Sequence, residues 1–210
     1  MENRILIFSL LVVLLILSSC NKEPAPFYGE YIQNSSFEQG TPGFLSLPDG
    51  WLDCGFEGET PPDLFANDME IRPFEVSNNA IEGNQFVGMV VRDNGTRECI
   101  IQRLVTPISG LYTLRLLIGR AEEYLSISRV TYDPISYNQP VELEVIGIGE
   151  DGREEVLFRA PKNVKRDWIE IQTSIYIPFP ISSLKLSPDF DSTRDTPYCG
   201  NVLIDAFELY

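Results

Sequence analysis

The chain has 210 residues, with 31 acidic against 16 basic side chains and a net charge of −15. That balance excludes a nucleic-acid partner, which needs clustered Lys and Arg against phosphate, and it disfavours simple docking on anionic lipid. Histidine is missing altogether, which removes Ser-His and Cys-His nucleophile pairs and histidine-ligated zinc.

Arg4 is the only basic residue ahead of an apolar run from Ile5 to Leu17, broken only by Ser9. The run is shorter than the about 20 residues of a spanning helix and suits a signal-peptide core. It ends in Leu17-Ser18-Ser19-Cys20, which resembles the bacterial lipobox. The resemblance implies that residues 1–19 are removed and that Cys20 is lipidated and becomes the mature terminus. Two or more acyl chains hold a protein stably on a bilayer, so the expected location is the cell envelope, as an outer-membrane lipoprotein. Residues 20–30, including the polar, proline-containing Asn21 to Pro26, read as a tether. Cys20-Asn21-Lys22-Glu23 is only loosely similar to the lysine-plus-acid signals of surface lipoproteins, so periplasmic and surface display both stay open.

Residues 31–210 carry no internal repeat, low-complexity run or linker and read as one domain. Its periodicity is two. Phe86 to Val91 is apolar at nearly every position, the pattern of a strand buried on both faces. Tyr112, Leu114, Leu116 and Ile118 line one side of a second strand, with Thr113 and Arg115 opposite. Val141, Leu143 and Val145 alternate with Glu142 and Glu144. Ile169, Ile171, Thr173 and Ile175 alternate with Glu170, Gln172 and Ser174. Asp93-Asn94-Gly95 and Glu150-Asp151-Gly152 suit tight hairpins. Pro107, Pro140, Pro161, Pro178 and Pro180 are expected at strand ends, where a missing N–H does no harm. Nine or ten strands and no helix of ten residues predict an all-β antiparallel sandwich of jelly-roll type.

Two stretches fit no regular strand: Gly40 to Pro73, with Trp51, Phe56 and Phe65, and Glu122 to Gln139, with Tyr124, Tyr132 and Tyr137. Long loops in a compact β domain carry function or cover a sheet edge. Sugar rings stack apolar faces on aromatics and need polar partners for their hydroxyls. The candidate ligand residues are therefore Tyr124, Tyr132, Tyr137 and Trp51 with Asp93, Arg92, Arg120 and Arg129. Each aromatic has a packing alternative, strongest for Trp51, which follows a turn, and each arginine has an ion-pair alternative. Trp168 reads as a cover over the sheet. The tyrosines are favoured as ligand contacts because each keeps a polar tip for solvent. Asp53, Glu57, Glu59 and Asp63 are the candidates for a glycoside-cleaving carboxylate pair, but they read as solvated loop charge, and the chain as non-catalytic. Arg159, Lys162, Lys165 and Arg166 form the one local basic cluster and read as loop.

Cys54, Cys99 and Cys199 remain after lipidation, enough for one disulfide and one thiol. Cys54 and Cys199 each precede a glycine in turn-like sequence, whereas Cys99 lies in a strand pattern. The favoured pair is Cys54–Cys199.

Asn34-Ser35-Ser36-Phe37-Glu38, Pro48-Asp49-Gly50-Trp51 and the closing Asn201-Val202-Leu203-Ile204-Asp205-Ala206-Phe207-Glu208-Leu209 resemble the galactose-binding-like jelly rolls, which include many carbohydrate-binding modules. Gly83-Asn84-Gln85-Phe86-Val87-Gly88-Met89, Ile101-Gln102-Arg103-Leu104 and Ser109-Gly110-Leu111-Tyr112-Thr113-Leu114 are similar to the middle of such modules. Ser35 departs from the family, which has glycine there. The resemblance implies a structural calcium shared by the first and last strands, with Glu38 and Asp205 as ligands. Asp205 shares strand parity with Leu203, Phe207 and Leu209, and a carboxylate set among apolar neighbours must be paired, neutralised or bound to a cation. The alternative is that Asp205 accepts backbone or arginine hydrogen bonds and Glu38 is solvated. The function expected is a membrane-anchored, non-catalytic domain that binds glycan or another envelope polymer. The competing class is a structural or adhesion module with a protein partner and no sugar ligand.

Overall fold

The structure is a computed structural model that describes residues 31–164, 167–191 and 193–210. The signal segment, Cys20 and the tether lie outside the described residues, as do Lys165 and Arg166 of the basic cluster. Among the described residues eleven strands follow in chain order: β1 (Leu52–Asp53), β2 (Asp63–Ala66), β3 (Gln85–Val91), β4 (Ile100–Gly119), β5 (Leu125–Ile127), β6 (Pro134–Ser136), β7 (Gln139–Pro140), β8 (Glu142–Ile148), β9 (Glu154–Ala160), β10 (Ile169–Asp189) and β11 (Gly200–Leu209). The one helical element among the described residues is a 3-10 turn, Pro73–Glu75. All four alternating or apolar runs read from the sequence fall in strands, namely β3, the second half of β4, β8, which Val141 immediately precedes, and the first half of β10.

Strand pairing is continuous along β2-β3-β11-β4-β10-β8-β9, and two long strands turn that single path into two layers. β4 has 20 residues and β10 has 21, and they pair in two blocks. Ile169 to Ile177 lie opposite Ile118 to Gly110, and Ser183 to Leu186 lie opposite Arg103 to Ile100, with the register slipping in between. The first block sits beside β11 and the second beside β8. Pro107, Pro178 and Pro180 fall at this slip, inside β4 and β10 rather than at their ends. A slipped ladder leaves backbone positions without a strand partner, so a residue lacking N–H costs nothing there and the strands can bend into the second layer. The result is a jelly-roll β-sandwich, antiparallel apart from the short β7–β11 pairing.

The layers close on one core. Leu114, Leu116, Ile118, Ile175 and Ile177 of the first layer meet Leu143, Val145, Leu184 and Leu186 of the second. A second, smaller cluster lies on the outer side of the first layer: Phe65, Val76, Phe86, Val90, Ala121, Tyr124, Tyr137, Cys199 and Leu203. The two irregular stretches supply its cover. This explains why β3 is apolar from Phe86 on: Val87, Met89 and Val91 enter the main core while Phe86 and Val90 enter the outer one.

β11 corrects one expectation of parity. Its register against β4 slips between Ile204, opposite Ile118, and Ala206, opposite Leu117. The bulge at Asp205 flips the faces. Val202, Ile204, Phe207 and Leu209 all reach the main core, and Leu203 alone turns to the outer cluster. A β-bulge re-aims side chains in this way, and period-two reading across it assigns the wrong face.

Candidate binding cleft

The cysteines are the first correction at the site. The disulfide joins Cys54 to Cys99, and Cys199 is a free thiol buried in the outer cluster. Register is the reason. β1 pairs with the start of β4, Leu52 opposite Ile101 and Asp53 opposite Ile100, so the next residue on one side faces the previous residue on the other. The Cys54 N–H donates to the Cys99 carbonyl at 3.2 Å, and the Cα atoms stand 5.2 Å apart.

Beyond that staple, β3 leads into the Asp93-Asn94-Gly95 turn, where Gly95 takes a left-handed φ of 89°. The chain then returns so that the Glu98 N–H donates to the Val90 carbonyl at 3.0 Å. This places Glu98 beside Arg92. The two form a buried ion pair through Nη2 and Oε1, and Arg92 Nη2 also donates to the Thr60 hydroxyl at 2.7 Å. Glu98 Oε2 accepts from the Val90 N–H at 3.0 Å. Glu59 lies 3.5 Å from Arg92 Nε and 3.0 Å from Arg129 Nη2, so one carboxylate bridges two guanidinium groups. Arg92 is 2% exposed, yet its Nη1 finds no acceptor among the described residues.

Asp63, at the head of β2, is 3% exposed. Its Oδ1 accepts from the Leu45 N–H at 2.8 Å and its Oδ2 from the Tyr124 hydroxyl. Burial pushes its carboxyl up to about 6 and holds Glu98 well above the usual carboxylate range, against the pull of Arg92 on both. Burial likewise lifts the Tyr124 phenol well above its ordinary value, helped by the adjacent Asp63. Gly88 makes room for this corner: a Cβ there would stand 2.7 Å from the Phe65 ring and 3.2 Å from Tyr124.

The second irregular stretch is tied down at both ends by Asn201 of β11. Its Oδ1 accepts from the Ala121 N–H at 2.8 Å and its Nδ2 donates to the Tyr137 carbonyl at 2.7 Å. Between those anchors β5 and β6 form a small hairpin. Asp93 fixes its tip by accepting from the Ser128 hydroxyl at 2.5 Å and the Arg129 N–H at 2.9 Å.

These elements enclose a cleft of about 200 Å3, lined by Leu45, Thr60, Asp63, Phe74, Val90, Arg92, Glu98, Tyr124, Ser126, Ile127, Arg129 and Tyr137. The Phe74 and Tyr124 rings stack 5.2 Å apart at its side. Leu45 and Phe74 hold left-handed φ values of 54° and 58°, a conformation that non-glycine residues adopt at a cost and that gathers at ligand sites.

Of the eight ligand residues read from the sequence, Arg92, Arg129, Tyr124 and Tyr137 line this cleft and Asp93 braces it. Three do not. Trp51 is buried between Phe37 and Phe207, ring centroids 5.5 and 6.1 Å away, and its Nε1 donates to the Asn34 carbonyl at 3.3 Å. Arg120 is buried and donates to the carbonyls of Asn138 and Val164. Tyr132 stands exposed at the hairpin tip with a φ of 64°. The tyrosines also differ from expectation in kind. Tyr124 and Tyr137 keep no tip in solvent; their hydroxyls donate to Asp63 and, at 2.6 Å, to the Ile127 carbonyl. Asp63, expected as solvated loop charge, and Glu98, not singled out at all, form the buried acidic wall. Trp168 covers the sheet as expected, edge-on to Phe86. Arg159 and Lys162 of the basic cluster pair with Glu142, Glu144, Asp189 and Asp191.

Glu38 and Asp205 clasp one loop from both sides. Glu38 accepts from the Asn84 N–H at 2.9 Å and the Gln85 N–H at 2.8 Å, and Asp205 Oδ2 accepts from the Ile81 and Glu82 N–H groups, the latter at 2.8 Å. Glu38 is not left to solvent. Burial, with Glu82 and Glu38 nearby, raises the Asp205 carboxyl to about 6. Asp205 Oδ1 is buried without a donor among the described residues. That orphaned oxygen has the chemistry of a hard-cation ligand, but among the described residues no group of three or more His, Cys, Asp or Glu side chains is arranged to hold a metal ion.

No protein-family model and no curated protein matches the chain. Among solved structures it is similar to the K2 cleaved adhesin domain of Lys-gingipain, with a TM-score of 0.53 and 11% identity over 84% of this chain and 96% of that one. A CBM61 module solved with β-1,4-galactotriose gives 0.49 and 16% over 87% and 98%. The CBM22-1 xylan-binding domain from Paenibacillus barcinonensis gives 0.47 and 17% over 83% and 90%. At such identities likeness speaks to the fold alone, and the first of these, with the highest score, supports the sandwich.

Proposed function

We propose that the protein is a non-catalytic glycan-binding domain held at the cell envelope by a lipid on Cys20. The observation that carries the binding half is the cleft. It places buried donors and acceptors beside a stacked aromatic pair, which matches the mixed surface of a sugar: C–H faces that pack on rings and hydroxyls that need directed polar partners. The lipobox resemblance supports the anchor. The clasp of Glu38 and Asp205 supports a structural calcium, which would draw on Asp205 Oδ1 and fix the loop beside β3. Leu125, Ile127, Val130, Tyr132 and Ile135 are exposed on the β5–β6 hairpin, and this apolar surface is what favours a protein-partner module as the second reading.

The test is an immobilised-glycan screen of the purified protein, with Arg129→Ala as the control at the rim of the cleft. Retention of one or more glycans, weakened about tenfold or more by Arg129→Ala, is the expected result. A blank screen with calcium present moves the protein-partner reading ahead. Product release from a retained polysaccharide would overturn the non-catalytic assignment.

A further inference from the structure

Two stretches of the chain are free of charge. Leu104 to Leu114 and Ile171 to Leu184 hold no Asp, Glu, Lys or Arg, although a chain that is 22% charged would place about five in that many residues. The fold brings the two together. They are the middles of β4 and β10, paired from Thr173 opposite Leu114 to Ile181 opposite Ile108, and they form the bend that carries both strands from one layer to the other. Burial accounts for the inward half, since Ile108, Ile175, Ile177 and Ile181 are core residues. It does not account for the outward half. Val105 is 63% exposed, Leu111 74% and Tyr176 66%, with Leu111 and Tyr176 directly opposite each other in the ladder. Pro107, Pro178 and Pro180 are exposed among them. Charge returns to the same strands at both limits, at Arg103, Arg115, Glu170 and Lys185. A contiguous apolar surface with a polar rim marks a contact with something less polar than water.

The place where the tether joins says what that is. Tyr31, the first described residue, packs edge-on to Tyr112, ring centroids 5.4 Å apart, and Tyr112 follows Leu111 in β4. The chain that leads back to Cys20 therefore leaves the domain beside the bend. Residues 20–30 span at most about 35–40 Å when fully extended, so a lipid on Cys20 keeps the bend within reach of the bilayer. The net charge of −15 gives the domain no attraction to anionic lipid, and a charge-free surface is the part that meets neutral headgroups without desolvating a carboxylate. Tyrosine, with an apolar ring and a polar tip, is a residue that settles at that interface. Glu150, Asp151 and Arg153 of the β8–β9 turn border the patch, Arg153 lying 4.2 Å over the Phe179 ring. That border would stay in the hydrated headgroup layer.

We propose that the charge-free bend is the membrane-facing surface of the anchored protein, with Val105, Leu111 and Tyr176 seated among the headgroups of a neutral bilayer. This rests on the lipid-anchor half of the proposed function and adds to it an orientation. The hairpin wall of the cleft follows Gly119, at the far end of β4 and about 30 Å from Gly110 at the rise of a strand. The cleft is therefore directed away from the bilayer.

The experiment uses the full protein purified in detergent, with the mass of its N-terminal peptide read. It is reconstituted into phosphatidylcholine vesicles with and without bromine, a contact quencher of tryptophan, on the acyl chains. Tyr176→Trp and Leu111→Trp place a reporter on the bend, and Tyr132→Trp places one on the β5–β6 hairpin; the wild type, with Trp51 and Trp168, supplies the background. Emission added by the two bend variants should fall roughly twofold or more in brominated lipid, and that added by Tyr132→Trp should hold. Bend emission that bromine leaves unchanged overturns the inference, whether the bend faces water or a second copy covers it, which light scattering in detergent would show as a dimer. Equal or stronger quenching of Tyr132→Trp overturns it as well. Those results leave the anchor in place. An N-terminal peptide without acyl chains, from a protein that does not float with the vesicles, overturns the anchor and the orientation together.

Discussion

The Tyr124 hydroxyl donates to Asp63 across a sequence separation of 61 residues, joining the two irregular stretches at the base of the cleft. Burial of the acid at that contact sets a pH dependence. The Asp63 carboxyl, facing Glu98, Arg92 and Tyr124, is raised from 3.8 to about 6, chiefly by burial. A carboxyl raised on folding favours the folded state while protonated, so its contribution is full below about pH 4 and is lost as pH rises through about 6. The shift corresponds to about 3 kcal/mol. Asp63→Asn cannot titrate. Its thermal melting curve should be flatter between about pH 4 and pH 7 than that of the wild type, with the wild-type advantage shrinking as pH rises. Parallel melting curves for the two proteins across that range would deny Asp63 this titration.

Arg92 is the cation of a wholly buried pair, and its loss strands Glu98. Removing one partner of such a pair costs about 3–5 kcal/mol when the other stays charged, and less when it takes a proton. Glu98 already leans to the protonated side. Arg92→Met should therefore lower stability by about 2–4 kcal/mol in urea unfolding, and the further change Glu98→Gln should recover part of it. A double variant no more stable than Arg92→Met would show that the cost is packing of the long side chain and not stranded charge.

Strand content was legible because burial on one face of a sheet prints a period of two on the chain, and β4, β8 and β10 carry it plainly. The cleft was legible only in its materials. Aromatics and arginines in long loops marked Tyr124, Tyr137, Arg92 and Arg129, but loop sequence does not say which way a tyrosine points, and both tyrosines face inward. Glu98 left no signal, since one acid among 31 is distinguished only by the turn that folds it against Arg92. The disulfide was misread for a related reason. Gly-flanked cysteines look like turn partners, whereas the bond follows the register of β1 on β4, and register is a property of two segments that neither shows alone.

The Cys54–Cys99 bond closes a separation of 45 residues, and a loop of that size contributes roughly 4 kcal/mol in the chain-entropy account. Cys54→Ala and Cys99→Ala should each lower the melting temperature by a similar amount, and Cys199→Ala by less. Peptide mapping without reduction should recover Cys54 linked to Cys99. Cys199 should react with a thiol reagent only after denaturation, because it is buried beside Tyr137 and Leu203. A Cys199-containing disulfide in the native map would contradict the register of β1.

Glu38 and Asp205 come from opposite ends of the domain and hold the same loop, so their test must separate the backbone clasp from a cation. Gly83 lies within that loop at a φ of 65°, and a Cβ there would stand 2.4 Å from the Glu38 carboxyl carbon. Gly83→Ala should therefore displace Glu38 and strain the turn, costing about 1–3 kcal/mol whether or not an ion binds. A bound calcium would act on a different atom, Asp205 Oδ1, and would stabilise by mass action, increasingly with its free concentration. The wild type should melt several degrees higher in millimolar calcium than in chelator. Asp205→Asn, which keeps an oxygen for the Ile81 and Glu82 N–H groups but removes the charge, should lose that difference. A wild-type melting temperature indifferent to calcium, with Gly83→Ala still destabilising, would assign both carboxylates to the backbone alone.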